Sequence, residues 1–197
     1  MMTTNTSKIR TLLFCLTLAV LAAMSQLALP AAGAQDQLGM LTVTGTVTVN
    51  GKPAATGDII ASGSNLQTAK GSSAVVSLGK LGRVEALPST TMKIRYDDTN
   101  TTHTSASTSI LLGDGSVRVT TAEGMDANVE TGLSSTRPSS RKQQNEFTVS
   151  TTCGTTLVSV AKGKVELRAA HIVKKIAEGA QDTAGQAKPG CTPSRNP

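Results

Sequence analysis

The sequence predicts an all-β domain made of many short strands, and three observations lead to that prediction. Runs of Val, Ile and Leu alternate with Thr or charged residues at a period of two, which is typical of strands with one buried and one solvated face. Turn signals such as Asn50-Gly51 separate these runs at close spacing, as they do in all-β domains. Between the first 34 residues and Ala169, no segment has convincing helical periodicity.

The first half of the domain contains most of the predicted strands. Leu41 to Val49 alternates apolar residues with Thr and runs into the tight Asn50-Gly51 hairpin turn. Asp114-Gly115 is a second turn signal, and the Thr-rich stretch 97–107 is predicted to be a loop. The other strands predicted here lie at Ile59-Ile60, Leu66 to Ala69, Ala74 to Leu78, Val84 to Leu87, Met92 to Tyr96, Ile110 to Leu112, Val117 to Val119 and Val129.

The second half is less regular. Residues 132–146 lack apolar periodicity and are predicted to be a mobile loop or an insertion. Ala169 to Ala177 fits either a short helix or a final strand. We therefore place the β domain at 40–170, followed at 171–197 by that ambiguous element and a flexible tail. The remaining strands lie at Phe147 to Val149, Leu157 to Val160 and Val165 to Leu167, with a turn at Lys162-Gly163.

The first 34 residues have the three parts of a secretory signal peptide. A polar start carries Lys8 and Arg10, an apolar run follows, and small residues precede Ala34. We predict cleavage between Ala34 and Gln35, and therefore a periplasmic or secreted protein that meets the membrane only transiently. The alternative is an uncleaved anchor, because residues 12–29 reach the length of a spanning helix.

Composition argues against nucleic acid as a partner. The net charge of +6 falls to +4 when Lys8 and Arg10 are removed with the signal peptide, and the remaining cations are thinly spread rather than clustered in a basic patch. The processed chain keeps only Tyr96 and Phe147 as aromatic residues, so it lacks the stacking platforms of single-strand binders.

The processed chain also keeps two cysteines, Cys153 and Cys191. An even number of cysteines in an exported chain is consistent with one disulfide, which would attach the tail to the domain. Two free thiols are the alternative. Cys15 lies inside the apolar run of the signal peptide, where an ordinary apolar role is favoured over lipidation.

No catalytic, cofactor-binding or metal-binding residues are predicted. His103 and His171 have no second His three or four residues away, as a metal site would require. Asp97-Asp98 is interpreted as part of a turn rather than a carboxylate pair, because adjacent carboxylates on an extended chain point to opposite faces. Asp114-Gly115 is interpreted as a turn, because the later ligands of a calcium loop are missing. A nucleophilic Cys153 would need one of the two histidines beside it.

The chain from about Gly45 to Leu167 resembles the FecR-domain family. The resemblance implies a repetitive β domain in the bacterial periplasm, with coiled or stacked strands in a solenoid or sandwich. Signalling members carry a cytoplasmic segment before a membrane helix, whereas only ten residues precede the apolar run here, so regulation of a sigma factor is not inferred. The segments that carry the resemblance are Gly57-Asp58-Ile59-Ile60, Gly71 to Leu78, Gly82 to Thr90, Leu112 to Val119, Phe147 to Thr151 and Lys162 to Leu167.

Together these observations predict a non-catalytic exported domain that binds a protein or another component of the cell envelope, or that has a structural role there. No cofactor is expected. The alternative is a secreted hydrolase that uses Cys153 or a serine as its nucleophile. A free Cys153 thiol would favour the hydrolase, and a Cys153–Cys191 disulfide would remove that nucleophile.

Overall fold

The computed structural model describes residues 39–98 and 106–191. Within these ranges the fold is all-β, as predicted, with sixteen strands and a single 3-10 turn at Gly79–Leu81. The first eight strands are β1 Gly39–Thr44, β2 Val47–Val49, β3 Lys52–Pro53, β4 Ile59–Ile60, β5 Asn65–Thr68, β6 Ser73–Ser77, β7 Gly82–Ala86 and β8 Thr91–Asp98. The others are β9 Ala106–Thr121, β10 Met125–Glu130, β11 Ser135–Pro138, β12 Asn145–Thr152, β13 Thr155–Lys162, β14 Lys164–Ala169, β15 Ile172–Ala177 and β16 Gln181–Gly185.

The strands form two sheets that share one long strand. Sheet A has the order β4-β1-β6-β7-β9-β12-β13-β16. Sheet B has the order β3-β2-β5-β8-β9-β10-β11-β14-β15. All of these pairs are antiparallel except β9 with β10, which are parallel.

Strand β9 passes from sheet B into sheet A at Gly113-Asp114-Gly115. Its first part pairs with β8 up to Asp114, and its second part pairs with β12 from Gly115 onward. Gly115 has φ +94°, and a Cβ there would lie 2.6 Å from the Ser89 carbonyl oxygen, so the crossing needs glycine. The predicted turn at Asp114-Gly115 is therefore wrong: the bend lies inside one continuous strand rather than between two.

The inward faces of the two sheets share one hydrophobic core. Alternate residues along each strand are buried, as the period of two predicts; Phe147 in sheet A and Ile110 in sheet B are fully buried members of the same cluster. A Cβ on Gly39 of sheet A would overlap the Tyr96 hydroxyl of sheet B, so the sheets pack closely there. The sandwich form of the prediction fits this arrangement.

Other sequence-based expectations were met or replaced by the structure. Asn50 and Gly51 both have positive φ in the β2–β3 hairpin, as predicted. The 132–146 segment is not a single loop, because it contains β11, which pairs with β10 and β14 within sheet B. The ambiguous element after Ala169 is strand β15, and β16 then extends sheet A beyond the expected end of the domain at 170.

Candidate functional site

The segment after β16 is attached to the domain by a disulfide. Cys153, in the turn between β12 and β13, is bonded to Cys191 with a Cα–Cα distance of 5.7 Å. The Lys188 amide donates a hydrogen bond to the Cys153 carbonyl at 2.9 Å, which aligns the returning segment with that turn. The predicted disulfide is confirmed, and Cys153 in this state has no thiolate with which to attack a substrate.

Strands β15 and β16 form the outer edges of the two sheets at the end of the sandwich, which we call the C-terminal end. Among the described residues, β15 pairs only with β14 and β16 pairs only with β13. Between the two edges lies a groove of about 300 Å³, which we call the edge groove. The residues that line it are Leu167, Ala169, Ile172, Lys174, Thr183, Ala184 and Gly185.

One lysine connects the two edges across the edge groove. Lys174 Nζ of β15 donates to Asp182 Oδ1 at 2.8 Å and to the Thr183 carbonyl at 2.9 Å, both in β16. The hydrogen bond from Lys174 lowers the pKa of the Asp182 carboxyl, and the Thr183 amide contributes in the same direction. The lysine fixes the spacing of the two edges while leaving the apolar part of the groove open.

Large apolar side chains are exposed at this end. Ile172 and Val173 are 60% and 54% exposed, and Leu133, in the β10–β11 turn, is 45% exposed. Leu133 lies against the groove, because a Cβ on Gly185 would come within 2.8 Å of Leu133 Cδ1. Exposed apolar residues gathered at one place, unlike scattered ones, are typical of interaction surfaces.

The surface beside these residues is positively charged. Strands β14 and β15 carry four cations and one carboxylate, Glu166, which lies opposite Lys175 in the register. The hydrogen bond from Arg168 lowers the pKa of Glu166, and the Arg137 charge acts in the same direction. The four cations are Lys164, Arg168, Lys174 and Lys175.

A second, polar hollow lies on the outer side of sheet B but has its charges already paired. Arg141 forms an ion pair with Asp126 at 2.5 Å, and Arg137 lies 3.6 Å from Glu166. These four side chains are among the residues that line a space of about 200 Å³. Because each arginine already has a carboxylate, the hollow does not offer a free anion site.

The remaining residues from the sequence analysis are spread over the chain. His171 is exposed in the β14–β15 turn. His103, Ala34 and Gln35 lie outside the described residues. Within 39–98 and 106–191, no group of three or more His, Cys, Asp or Glu side chains is arranged to hold a metal ion. In the same ranges, no helix has the length and apolar character needed to span a membrane.

The comparisons with known proteins yielded structures but no sequence family. No protein-family model matches the sequence, and no curated protein matches it. Two crystal structures of a "putative anti-sigma factor" from Parabacteroides distasonis are similar to it, at 21% and 20% identity and a TM-score of 0.47 each. The similarity covers 61% of this chain and 54% of the other, so the chain spans about half the length of that protein.

The sequence does not reveal the edge groove, because the groove forms where the consecutive strands β15 and β16 join different sheets, and no local pattern shows which sheet a strand joins. A local sequence feature that could have indicated an edge strand is Ile172-Val173-Lys174-Lys175, in which two adjacent apolar residues are followed by two adjacent lysines. On a strand, such a pattern puts one apolar residue and one lysine on each face. That arrangement suits an edge strand, in which both faces are partly solvated.

Proposed function

We propose that this chain is an exported, non-catalytic domain of the bacterial cell envelope that binds a protein or polymer partner through its C-terminal end. The observation that carries the proposal is the Cys153–Cys191 disulfide beside an open, apolar strand edge. Disulfides persist in oxidising compartments such as the periplasm. An exposed edge with apolar side chains is a known means of binding a partner.

The signal peptide and the FecR-like pattern of the sequence support the same proposal. The predicted cleavage after Ala34 would release the β domain into the periplasm or medium. The hydrolase alternative loses support at Cys153, since its sulfur is used in the disulfide.

Cell fractionation with N-terminal sequencing tests export. We expect the protein in the periplasmic or secreted fraction, beginning at Gln35. The variant Ala34→Tyr should block processing, because a large side chain does not fit the small-residue site, whereas Gln37→Tyr, three residues further on, should be processed normally. Cytoplasmic protein that still begins at Met1 would contradict export, and membrane-bound protein that begins at Met1 would indicate the uncleaved anchor.

Capture from envelope extracts tests the binding role. The purified, disulfide-bonded protein is immobilised, and retained components are compared with those on a column carrying the same protein after reduction, alkylation and heat denaturation. We expect at least one component to be retained only by the folded protein. Retention of nothing specific would remove the binding role and leave a purely structural one.

A further inference from the structure

The further inference concerns what the edge of β15 binds, and it rests on the proposed binding function. A free strand edge offers backbone N–H and C=O groups that only another strand can pair in register. Strand β15 is six residues long and has a neighbour on one side only among the described residues. A six-residue edge is long enough for an extended peptide to add to sheet B.

Side chains of an added strand would alternate between two surfaces. Those directed inward would meet the edge groove, which Ile172 lines together with the aliphatic stem of Lys174. Those directed outward would lie beside Val173 and Lys175, which occupy the outer face of sheet B. Both surfaces therefore offer apolar contact, and the outer one adds a positive charge.

The charges of β15 argue against a second copy of the chain as the occupant. Two β15 edges paired antiparallel would bring the Lys174-Lys175 pairs of both copies close together, and like charges across strands are destabilising. Lysine on an edge strand is a common defence against such self-association. Lys175 would also attract a strand that carries carboxylates, whereas Lys174 is already bonded to Asp182.

The geometry points to an extended peptide segment of alternating apolar and acidic residues as the partner that adds to β15. Its apolar residues occupy the edge groove on the inner face, and its carboxylates lie on the outer face near Lys175. Lys174 keeps its hydrogen bond to Asp182, and its side chain lines the groove. The backbone pairing supplies affinity, and the charges supply selectivity.

A peptide titration tests this partner. Fluorescein-labelled Val-Glu-Val-Glu-Val-Glu-Val is titrated with the purified, disulfide-bonded protein, and Val-Lys-Val-Lys-Val-Lys-Val is the matched probe of opposite charge. We expect the acidic peptide to bind and the lysine peptide to bind roughly tenfold more weakly or not at all, with a difference that shrinks at high salt. Equal binding of the two peptides, or binding of neither, would overturn the inference.

Two charge reversals locate the site. Lys175→Glu should weaken binding of the acidic peptide roughly fivefold or more, since it replaces an attraction with a repulsion. Lys52→Glu makes the same change on β3, the edge of sheet B at the other end, and should leave binding unchanged. If both variants weaken binding equally, the charge of the whole protein is responsible and the β15 site is wrong.

A structural readout distinguishes strand addition from loose surface contact. In the ¹⁵N-labelled protein, the acidic peptide should shift the amide resonances of Ile172–Ala177 and slow their hydrogen exchange, while Lys52 stays unaffected. Resonance shifts that are not accompanied by slower amide hydrogen exchange would argue against added backbone pairing. Ile172→Ser shortens an already exposed side chain, so the circular dichroism spectrum of the variant should match that of the native protein. Its affinity for the acidic peptide should nevertheless be lower.

The outcomes also separate this inference from the proposed function. If envelope capture succeeds and Lys175→Glu does not affect it, the domain binds a partner elsewhere and only the β15 inference fails. Sedimentation that detects a dimer of the native protein, strengthened when Lys175→Glu removes the like-charge repulsion, would assign the edge to a second copy instead. If capture fails while the acidic peptide binds as expected, the edge site stands and the envelope role is lost.

Discussion

The two ends of the sandwich differ in how their strand edges meet solvent. At the N-terminal end, the edge strands β3 and β4 are two residues long each, and β3 contains Pro53, which has no N–H to offer. At the C-terminal end, β15 and β16 have six and five residues and enclose the edge groove. Short edges and proline resist strand pairing, so among the described edges those at the C-terminal end are better suited to accept a strand.

Exposed apolar residues are present at both ends but in different settings. Met40 and Ile59 are 58% and 55% exposed, and they lie opposite each other on the paired strands β1 and β4. They lie side by side on the outer face of sheet A. Ile172, in contrast, faces the edge groove, where nothing within the described residues covers it. The difference teaches that exposed area alone does not identify a binding edge.

Removal of the disulfide should have the largest effect and should act at the C-terminal end. Cys153→Ser combined with Cys191→Ser opens a loop of 38 residues and should lower the free energy of unfolding by about 4 kcal/mol in the chain-entropy model. Urea unfolding measures the loss, and hydrogen exchange should accelerate in β16 more than in β1.

Reductant provides the control for that prediction. It should bring the native protein down to the stability of the double variant and leave the variant itself unchanged. Equal stability of the native protein and the variant would mean that the bond constrains neither the unfolded chain nor the edge.

Matched leucine truncations compare packing at the two ends. Leu41 in β1 and Leu167 in β14 are both buried, but only Leu167 lines the edge groove. Leu41→Ala should cost about 3.5 kcal/mol and Leu167→Ala about 2.5 kcal/mol, because water or Ile172 can enter the space beside the groove and reduce the cavity term. Chemical denaturation of both variants measures the difference. A larger loss for Leu167→Ala would mean that the C-terminal end is as tightly packed as the other.

A smaller, pH-dependent effect belongs to the N-terminal half. Burial raises the pKa of Tyr96 to about 12, so above pH 10 the unfolded chain loses this proton while the folded chain retains it. Stability should therefore fall by about 2 kcal/mol as the pH rises from 10 to 12. The free energy of unfolding, measured across that pH range, should decline less for Tyr96→Phe than for the native protein. Identical declines would mean that the lysines alone cause the alkaline loss.

The elements that sequence reasoning predicted well are those whose signal is local. The Asn50-Gly51 turn and the strand from Met92 to Tyr96 are specified by turn chemistry and by a period of two. Strand β11 was missed because Ser135–Pro138 contains no large apolar residue. Its inward Thr136 is nevertheless fully buried, because the pairing with β10 and β14 places it there.

The sequence by itself determined that this chain folds as a β protein, since alternation and turn residues act between near neighbours. It also contained the cysteine pair and the apolar and small residues of the predicted signal peptide. Only the tertiary structure decided that β9 joins both sheets, that Cys153 meets Cys191, and that β15 and β16 enclose a groove. The first two features depend on contacts between residues distant in the chain, and the groove depends on the consecutive strands β15 and β16 joining different sheets. No local pattern specifies which strands become neighbours.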